Sequence, residues 1–114
     1  MSNVYAQKDL IKVISNAVLE LSNDKTGALI VLERKTKLGD IIDTGTIIKS
    51  QPSVALICNI FFNKAPLHDG ALIVRQGTLY AGGCILPLTK NNSLSKSLGT
   101  RHRAAVGISE NSDA

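Results

Sequence analysis

Two apolar segments joined by a short polar turn place the strongest constraint on the fold of this chain. Residues 71–74 read Ala-Leu-Ile-Val, residues 79–86 are mostly apolar, and Gln76-Gly77 lies between them. Apolar segments around a glycine-containing turn are typical of an antiparallel hairpin, so we expect two adjacent strands within residues 71–86. Gly82-Gly83 marks either a bulge or a close approach of another segment, and packing against a helix explains it equally well.

Three further segments predict the rest of the sheet and its covering helices. Residues 7–22 carry apolar side chains at helical spacing, and residues 28–32 form the continuous apolar run of a buried strand. Residues 54–62 favour a helix capped by Ser53, although periodicity alone leaves a strand open. We therefore predict an α/β fold, a single domain with a central mixed (parallel and antiparallel) β-sheet flanked by α-helices.

The remaining segments are more polar. Residues 33–46 predict a loop or a short helix, followed by a brief extended segment at residues 46–48. Residues 90–93 predict a loop, and residues 93–98 predict a short helix that ends at Gly99.

Length and charge restrict the function. The 114 residues suffice for one core and leave no room for a second domain. A formal charge of +4 suits a polyanionic ligand, but the lysines are scattered and the two Phe and two Tyr offer no stacking platform. We therefore expect a nucleotide partner and no nucleic acid.

The cysteines and the hydropathy pattern favour the cytoplasm. Cys58 and Cys84 lie in apolar runs, where a reduced and packed thiol is expected. Two cysteines make no disulfide framework. The sequence has no run of about 18 apolar residues and no signal peptide, so the chain as given is predicted to be soluble.

A predicted helix begins with three basic side chains. Arg101, His102 and Arg103 follow Gly99 and Thr100, a plausible N-cap. Because the free N–H groups make a helix start locally positive, three cations there repel it unless an anion is bound. We interpret residues 99–103 as a phosphate-binding corner. The alternative is that the arginines point into water or pair with distant acids.

The loop before residue 71 carries adjacent metal-ligand side chains. His68 and Asp69 offer an imidazole nitrogen and a carboxylate, which suit Mn²⁺ or Mg²⁺, and Gly70 lets a ligand approach the backbone. The alternative is an ordinary Asp-Gly turn, because this dipeptide between apolar runs is also a hairpin signal.

Together these motifs resemble one known family. His-Asp-Gly-Ala at residues 68–71 and Gly-Thr-Arg-His-Arg-Ala-Ala-Val-Gly-Ile-Ser-Glu at residues 99–110, with Leu86-Pro87-Leu88 between them, resemble the signature of the bacterial and archaeal diadenylate cyclase domain. The resemblance covers nearly the whole chain. It includes residues 27–32 as the first core strand and Gly45-Thr46 as the threonine–glycine turn region.

The resemblance implies a reaction and an assembly. A diadenylate cyclase joins two ATP molecules into cyclic di-AMP and releases two pyrophosphates, with Mn²⁺ or Mg²⁺ as cofactor. Each subunit would hold one ATP. Two subunits would meet face to face as a homodimer, so that each ribose 3′-hydroxyl addresses the α-phosphorus of the other nucleotide.

The resemblance also implies roles for the loop residues. His68 and Asp69 would bind the metal, and Asp69 would be catalytic by polarising the 3′-hydroxyl or accepting its proton. Gly70 and Ala71 would line the ribose.

The base and the triphosphate would meet other residues. Ile85 and Leu86 would face adenine, with the Leu86 backbone reading its edge, and plain core packing is an equal alternative for the Leu86 side chain. Many relatives carry an aromatic residue where Ile85 stands, so stacking is expected to be weaker here. Arg101 and Arg103 would be catalytic by offsetting charge in the transition state. Five residues would hold the triphosphate: Gly99, Thr100, Arg101, His102 and Arg103.

The end of the chain departs from the family pattern. Members continue past the Ile-Ser-Glu segment into another strand and a Ser-Glu-Glu motif, whereas this sequence stops at Ala114. Ser109 and Glu110 do not replace that motif. We interpret residues 1–114 as a cyclase domain truncated at its C-terminus and excised from a longer membrane-anchored protein, at the cytoplasmic face of the membrane. An incomplete sheet with doubtful activity is the alternative.

A second class of function is a catalytically silent regulatory module that binds ATP or cyclic di-AMP. The missing tail favours this module. The pair of His68 and Asp69 favours the cyclase, because a pure binder needs no metal-assisted chemistry beside the ribose.

Overall fold

The computed structural model describes residues 4–89 and 100–114, without the side chains of residues 4–7 and Thr100. The elements in chain order are α1 (Val4–Asn23), β1 (Ile30–Leu32), α2 (Gly39–Ile42), β2 (Thr46–Ser50), α3 (Val54–Phe61), β3 (Ala71–Arg75), β4 (Thr78–Cys84) and α4 (Thr100–Asn111). The predicted loop at residues 90–93, the predicted helix at residues 93–98 and Gly99 lie outside the described residues.

The four strands form one mixed sheet in the order β1-β3-β4-β2. β1 runs parallel to β3, whereas the β3–β4 and β4–β2 pairs are antiparallel. This mixed sheet with helices beside it confirms the predicted fold class. Within the described residues, no helix is long and apolar enough to cross a membrane.

Strand β3, one of the two interior strands of the sheet, is buried on both faces. Ala71 and Ile73 belong to a core that includes residues of α2 and α4, whereas Leu72 and Val74 belong to a second core with residues of α1 and α3. This alternation follows from the two-residue period of a strand. The helices therefore cover both faces of the sheet, and the continuous apolar pattern of β3 is the one expected of a doubly buried strand.

Local signals in the sequence account for several boundaries. Gln76 and Gly77 have φ values of 50° and 74°, as a two-residue hairpin turn with positive φ at both positions requires, which confirms the predicted hairpin. The Ser53 hydroxyl accepts a hydrogen bond from the Leu56 N–H at 3.2 Å, which confirms the cap and the choice of a helix for α3. β1 is shorter than the apolar run at residues 28–32 that predicted it.

Glycine at position 107 allows the segment after β4 to lie against α4. A Cβ built on Gly107 would overlap the carbonyl of Pro87, and the Thr89 N–H donates to the Arg103 carbonyl at 3.1 Å. The Leu86-Pro87-Leu88 segment is therefore held directly beside the first turns of the basic helix.

Both cysteines are free, as expected. Burial raises the pKa of Cys84 to about 11, so this side chain stays a neutral thiol at neutral pH.

Candidate nucleotide-binding site

The chain segments of the predicted site lie together at one edge of the sheet. Because β1 and β3 are parallel and β4 is antiparallel to β3, the beginnings of β1 and β3 and the end of β4 lie at the same edge. The Asp69-Gly70 loop, the segment after Cys84 and residues 27–29 therefore meet there. The basic start of α4 lies beside them.

Two adjoining cavities open at this edge. The first has a volume of about 420 Å³ and the second about 790 Å³, within the range of small-molecule sites. They share four lining residues: Leu29, Asp69, Gly70 and Arg101. The first is also lined by Gly83, Cys84, Ile85, Leu86, Leu88 and Ala104, and the second by Gly27, Ala28, His102 and Ala105.

Glycine is required where the metal-ligand loop crosses β4. Gly70 has a φ of +118°, and a Cβ there would lie 2.7 Å from the carbonyl carbon of Gly83, which itself has a φ of +66°. The loop follows α3, so Asp69-Gly70 does not join two strands. Asp69-Gly70 is therefore not the turn of a hairpin, and the choice between a functional loop and an ordinary Asp-Gly turn is not decided by this.

The imidazole of His68 is oriented by a backbone carbonyl. Its Nδ1 lies 2.6 Å from the Ala65 carbonyl, which can only accept a hydrogen bond, so Nδ1 carries the hydrogen. In the neutral imidazole, the Nε2 atom then presents a lone pair, 3.3 Å from Oδ1 of Asp69. Two acceptors this close can share a cation or a proton, and a hydrogen-bonded second nitrogen is typical of a metal-binding histidine.

These two side chains fit a divalent cation whose other ligands come from elsewhere. Within the part of the chain that the structure describes, no group of three or more His, Cys, Asp or Glu residues could hold a metal ion. Mg²⁺ sites commonly use one or two carboxylates together with water and substrate phosphates. The donor set of His68 and Asp69 therefore suits a cation that arrives with a nucleotide.

Arg101 extends from α4 to the metal-ligand loop. Its Nη2 donates a long hydrogen bond of 3.5 Å to the His68 carbonyl, and its guanidinium lies over Gly27. A guanidinium carries five N–H donors, so most of its donors remain available to a ligand. Its charge adds to the positive start of a helix whose first turn contains no acidic residue.

The other members of the basic motif are placed differently. His102 lines the larger cavity, whereas Arg103 is half-buried, lines neither cavity and accepts the hydrogen bond of Thr89 through its carbonyl. Thr100 is the first described residue of α4, and its role as the N-cap stays a prediction. Its side chain and Gly99 lie outside the described part of the chain.

An apolar shelf formed by residues 85–88 borders the smaller cavity. The Ile85 side chain is 69% exposed, whereas that of Leu86 is buried in the core and also lines the cavity. Thr44 fixes this shelf, because its hydroxyl accepts from the Ile85 N–H at 2.8 Å and donates to the Ile41 carbonyl at 2.6 Å. The alternative role of Leu86 as a core residue is therefore compatible with its place at the cavity.

The structure brings six of the predicted residues to the two cavities: Asp69, Gly70, Ile85, Leu86, Arg101 and His102. Ala71 is fully buried in the core, and His68 meets the site through its ring nitrogen and its carbonyl. Sequence reasoning missed Gly27, Leu29 and Thr44. A glycine directly before an apolar run was the available signal for Gly27.

An α/β domain with a basic helix start, an imidazole–carboxylate pair and an apolar shelf at one sheet edge belongs to the class of nucleotide-binding domains. The family model described as DAC, DisA bacterial checkpoint controller nucleotide-binding, matches residues 15–114. The chain therefore belongs to this family, which confirms the resemblance to the diadenylate cyclase domain.

Curated relatives carry names of the same activity. The chain is 45% identical over 109 residues to "Cyclic di-AMP synthase CdaA" of Bacillus subtilis. The matched region covers 96% of this chain and 40% of the relative. It is 46% identical over 101 residues to "Diadenylate cyclase CdaS" of Bacillus thuringiensis, which covers 89% of this chain and 50% of the relative. The chain thus spans half or less of the length of these two relatives.

Solved structures share the fold. The crystal structure of a double mutant of DacA from Staphylococcus aureus matches with a TM-score of 0.91 and 47% identity, over 94% of this chain and 71% of that one. A structure described as the hypothetical membrane spanning protein from Bacillus cereus matches with a TM-score of 0.85 and 45% identity, over 90% and 50% of the two chains.

Proposed function

We propose that this chain is the catalytic domain of a diadenylate cyclase, which condenses two ATP molecules into cyclic di-AMP and two pyrophosphates. The observation that carries the proposal is that Asp69, Arg101 and the shelf of residues 85–88 border the same cavity. A carboxylate, a guanidinium and an apolar surface match the ribose, the triphosphate and the base of one nucleotide. The names of the curated relatives support the same activity.

The proposed reaction transfers an adenylyl group to a ribose hydroxyl. The 3′-oxygen of one ATP forms a bond to the α-phosphorus of the other, and the bond from that phosphorus to the pyrophosphate oxygen breaks. Asp69 accepts or polarises the proton of the 3′-hydroxyl. Its side chain is 87% exposed, so it can reach a nucleotide without moving the core. A second attack in the opposite direction closes the ring and releases the second pyrophosphate.

Positive charge at the start of α4 would stabilise the leaving group. Arg101 and Arg103, with His102 and Thr100, would bind the triphosphate and offset charge on the departing pyrophosphate, and Gly99 would let the backbone approach it. The lack of acidic residues in the first turn of α4 supports this assignment, because the helix start itself brings no carboxylate to compete with the phosphates. Gly70 and the backbone of Ala71 would hold the ribose in position.

We assign the metal site to His68 and Asp69. A bound Mn²⁺ or Mg²⁺ supplies electrostatic stabilisation of phosphate charge. The Nδ1 hydrogen bond to Ala65 holds the imidazole with Nε2 toward the carboxylate, so both ligand atoms are ready before the nucleotide arrives.

Adenine would lie on the shelf of residues 85–88. Ile85 and Leu88 are both exposed there, and the hydrogen bond from the Ile85 N–H to Thr44 is already made. The backbone of Leu86 would then form the hydrogen bonds to the edge of the base, because Pro87 has no N–H that could donate one.

The reaction requires a second subunit. One cavity system offers one carboxylate and one basic helix start, whereas cyclic di-AMP contains two linkages of the same kind. A face-to-face homodimer with two-fold symmetry supplies both attacks by the same geometry. The exposure of Asp69 and Ile85 supports a partner at this face.

We further propose that residues 1–114 are one domain of a longer, membrane-anchored protein, with the site in the cytoplasm. The match to half or less of each of these curated relatives supports a longer parent, and the similarity to the hypothetical membrane spanning protein of Bacillus cereus supports an anchor. Within the described residues, β1 pairs only with β3. This leaves an edge at which the expected additional strand would extend the sheet.

Mass-resolved product analysis tests the proposal. The chain, and a version extended by its native C-terminal sequence, are incubated with ATP and Mn²⁺ or Mg²⁺. Cyclic di-AMP from either supports the cyclase, and product from the extended version alone shows that the added segment completes the site. ATP binding without product in both versions would contradict the cyclase and favour a regulatory nucleotide-binding module.

A further inference from the structure

Gly27 is a glycine whose backbone conformation does not require glycine. It lies between α1 and β1, it is exposed, and its φ is outside the left-handed region, unlike those of Gly70, Gly77 and Gly83. An alanine at this position would therefore meet no backbone strain. The reason for glycine must be the space that a side chain would fill.

That space is occupied by the guanidinium of Arg101. A Cβ built on Gly27 would lie 2.8 Å from Nη1, 3.1 Å from Cζ and 3.4 Å from Nε of Arg101. The three nearest atoms thus all belong to the same planar group. The same arginine donates to the His68 carbonyl at 3.5 Å, so the guanidinium lies between the start of β1 and the metal-ligand loop.

We infer that Gly27 is a positioning residue for the nucleotide site, because the absence of a side chain leaves the space that the Arg101 guanidinium occupies. This inference rests on the proposed function. Gly27, Asp69 and Arg101 line the same cavity, so the space left by Gly27 lies at the site itself. A guanidinium held there reaches the triphosphate with its side-chain freedom already reduced.

The inferred role predicts a functional defect without a folding defect. The overlap created by Gly27→Ala involves the far end of a flexible side chain, which can swing away at little cost to the fold. The displaced guanidinium would then leave the triphosphate. A charge-assisted hydrogen bond of this kind corresponds to roughly a 10-fold or greater change in affinity.

The test compares four variants with the wild-type chain: Gly27→Ala, Arg101→Ala, the double variant and Gly39→Ala. Gly39 is the matched control, because it is exposed, has no positive φ and has no heavy atom within 4 Å of a built Cβ. The Kd for ATP in the presence of Mn²⁺ and the thermal midpoint are measured for each. Turnover is measured in the version extended by the native C-terminal sequence.

We expect Gly27→Ala to raise the Kd for ATP by roughly 10-fold or more and to have a thermal midpoint like that of Gly39→Ala. The double variant should bind like Arg101→Ala alone, because both changes remove one interaction. Additive losses, or wild-type affinity in Gly27→Ala beside a weakened Arg101→Ala, would overturn the inference and leave the proposed function standing. A wild-type chain that binds no ATP would overturn both.

Discussion

The chemistry of the site depends, at the scale of single residues, on one backbone carbonyl. In the neutral imidazole of His68, the Ala65 carbonyl keeps the hydrogen on Nδ1, which leaves Nε2 as an acceptor beside the carboxylate of Asp69. With the opposite tautomer, the ring would donate to Asp69 and compete with a cation for its charge. At the proposed metal site, the loop therefore prepares two ligand atoms with a hydrogen bond that involves neither of them.

Replacing Arg101 and Arg103 by alanine should weaken ATP binding rather than turnover alone. Each charge-assisted hydrogen bond to a phosphate contributes roughly 1.5–3 kcal/mol, so loss of one corresponds to about a 10- to 100-fold rise in Kd. Titration calorimetry with ATP and Mn²⁺ measures the change. Arg34→Ala is the control, because Arg34 is exposed and lines neither cavity. Equal affinity in the double variant and this control would refute the triphosphate assignment.

Candidate site residues could be proposed from the sequence only where a motif carries its own chemistry. His68, Asp69 and Gly70 are adjacent, so ligand type and loop flexibility are visible in the sequence itself. Thr44 was not predictable, because its importance lies in a hydrogen bond to Ile85, which is distant along the chain. The same holds for Gly27, whose neighbour Arg101 belongs to another element.

At the scale of elements, the site depends on how closely α4 approaches the segment after β4. Gly107 makes this approach possible, and the helix places Ala104 and Ile108 in the same core as Ala71 and Ile73. The basic residues at the start of α4 are thereby held near the beginning of β3. A displaced helix would separate the proposed phosphate-binding corner from Asp69.

Gly107→Ala should destabilise the fold even though alanine favours helices. The new methyl group would overlap the Pro87 carbonyl, and overpacking of this kind typically costs about 1–3 kcal/mol, more than the helical gain. Urea unfolding measures the difference. Gly39→Ala, where nothing lies near the new Cβ, should leave stability unchanged or slightly higher. A stabilised Gly107→Ala would contradict the packing described for α4.

A buried ion pair connects the ends of β1 and β3. The Glu33 side chain is only 2% exposed and accepts hydrogen bonds from Arg75 Nε at 2.8 Å, Arg75 Nη2 at 2.9 Å and the Leu38 N–H at 2.8 Å. Burial raises the pKa of Glu33, but these hydrogen bonds and the Arg75 charge outweigh it and hold the pKa below its ordinary value of 4.5.

Glu33→Gln should therefore lower stability at neutral pH by roughly 1–3 kcal/mol, because Arg75 loses its charged partner. A depressed folded-state pKa means that the contribution is fully present above about pH 4.5 and is lost as the pH falls through the folded value. The stability gap between wild type and variant should thus shrink in acid. Urea unfolding from pH 7 to pH 3 measures it, and a gap that stays constant or widens in acid would contradict the pairing.

Most elements were predictable from local patterns. The hairpin and α3 each have a turn or a cap within their own sequence, and α1 has a clear helical period. The short β1 was less predictable, because the apolar residues 28–29 border the site, and Leu29 pairs with β3 only through its carbonyl. Burial of apolar residues at a cavity and burial in a strand look alike in sequence.

At the scale of the whole molecule, the proposed function makes the cavities half of a reaction centre. The fold places one carboxylate, one basic helix start and one shelf at a single sheet edge. Composition gave no sign of this arrangement, since a charge of +4 describes the chain and not its distribution. Only the topology, with β1 parallel and β4 antiparallel to β3, brings the motifs together.

Product formation should depend on the square of the protein concentration when the protein is dilute. In the proposed face-to-face mechanism two subunits must meet for each cyclisation, so activity per subunit should fall on dilution and reach a plateau at high concentration. Initial rates at saturating ATP over a dilution series measure this dependence, with light scattering of the same samples as the control for assembly. A rate strictly proportional to concentration in a monomeric sample would contradict the face-to-face mechanism.

The most direct measurement pairs product formation with ATP binding, for the wild-type chain and for Asp69→Asn, both extended by the native C-terminal sequence. We expect the wild type to release two pyrophosphates per cyclic di-AMP. Asp69→Asn should bind ATP nearly as tightly and form no product, because the amide cannot accept the proton of the 3′-hydroxyl. Cyclisation by Asp69→Asn at the wild-type rate, or a wild type that binds ATP and forms no cyclic di-AMP, would contradict the central claim.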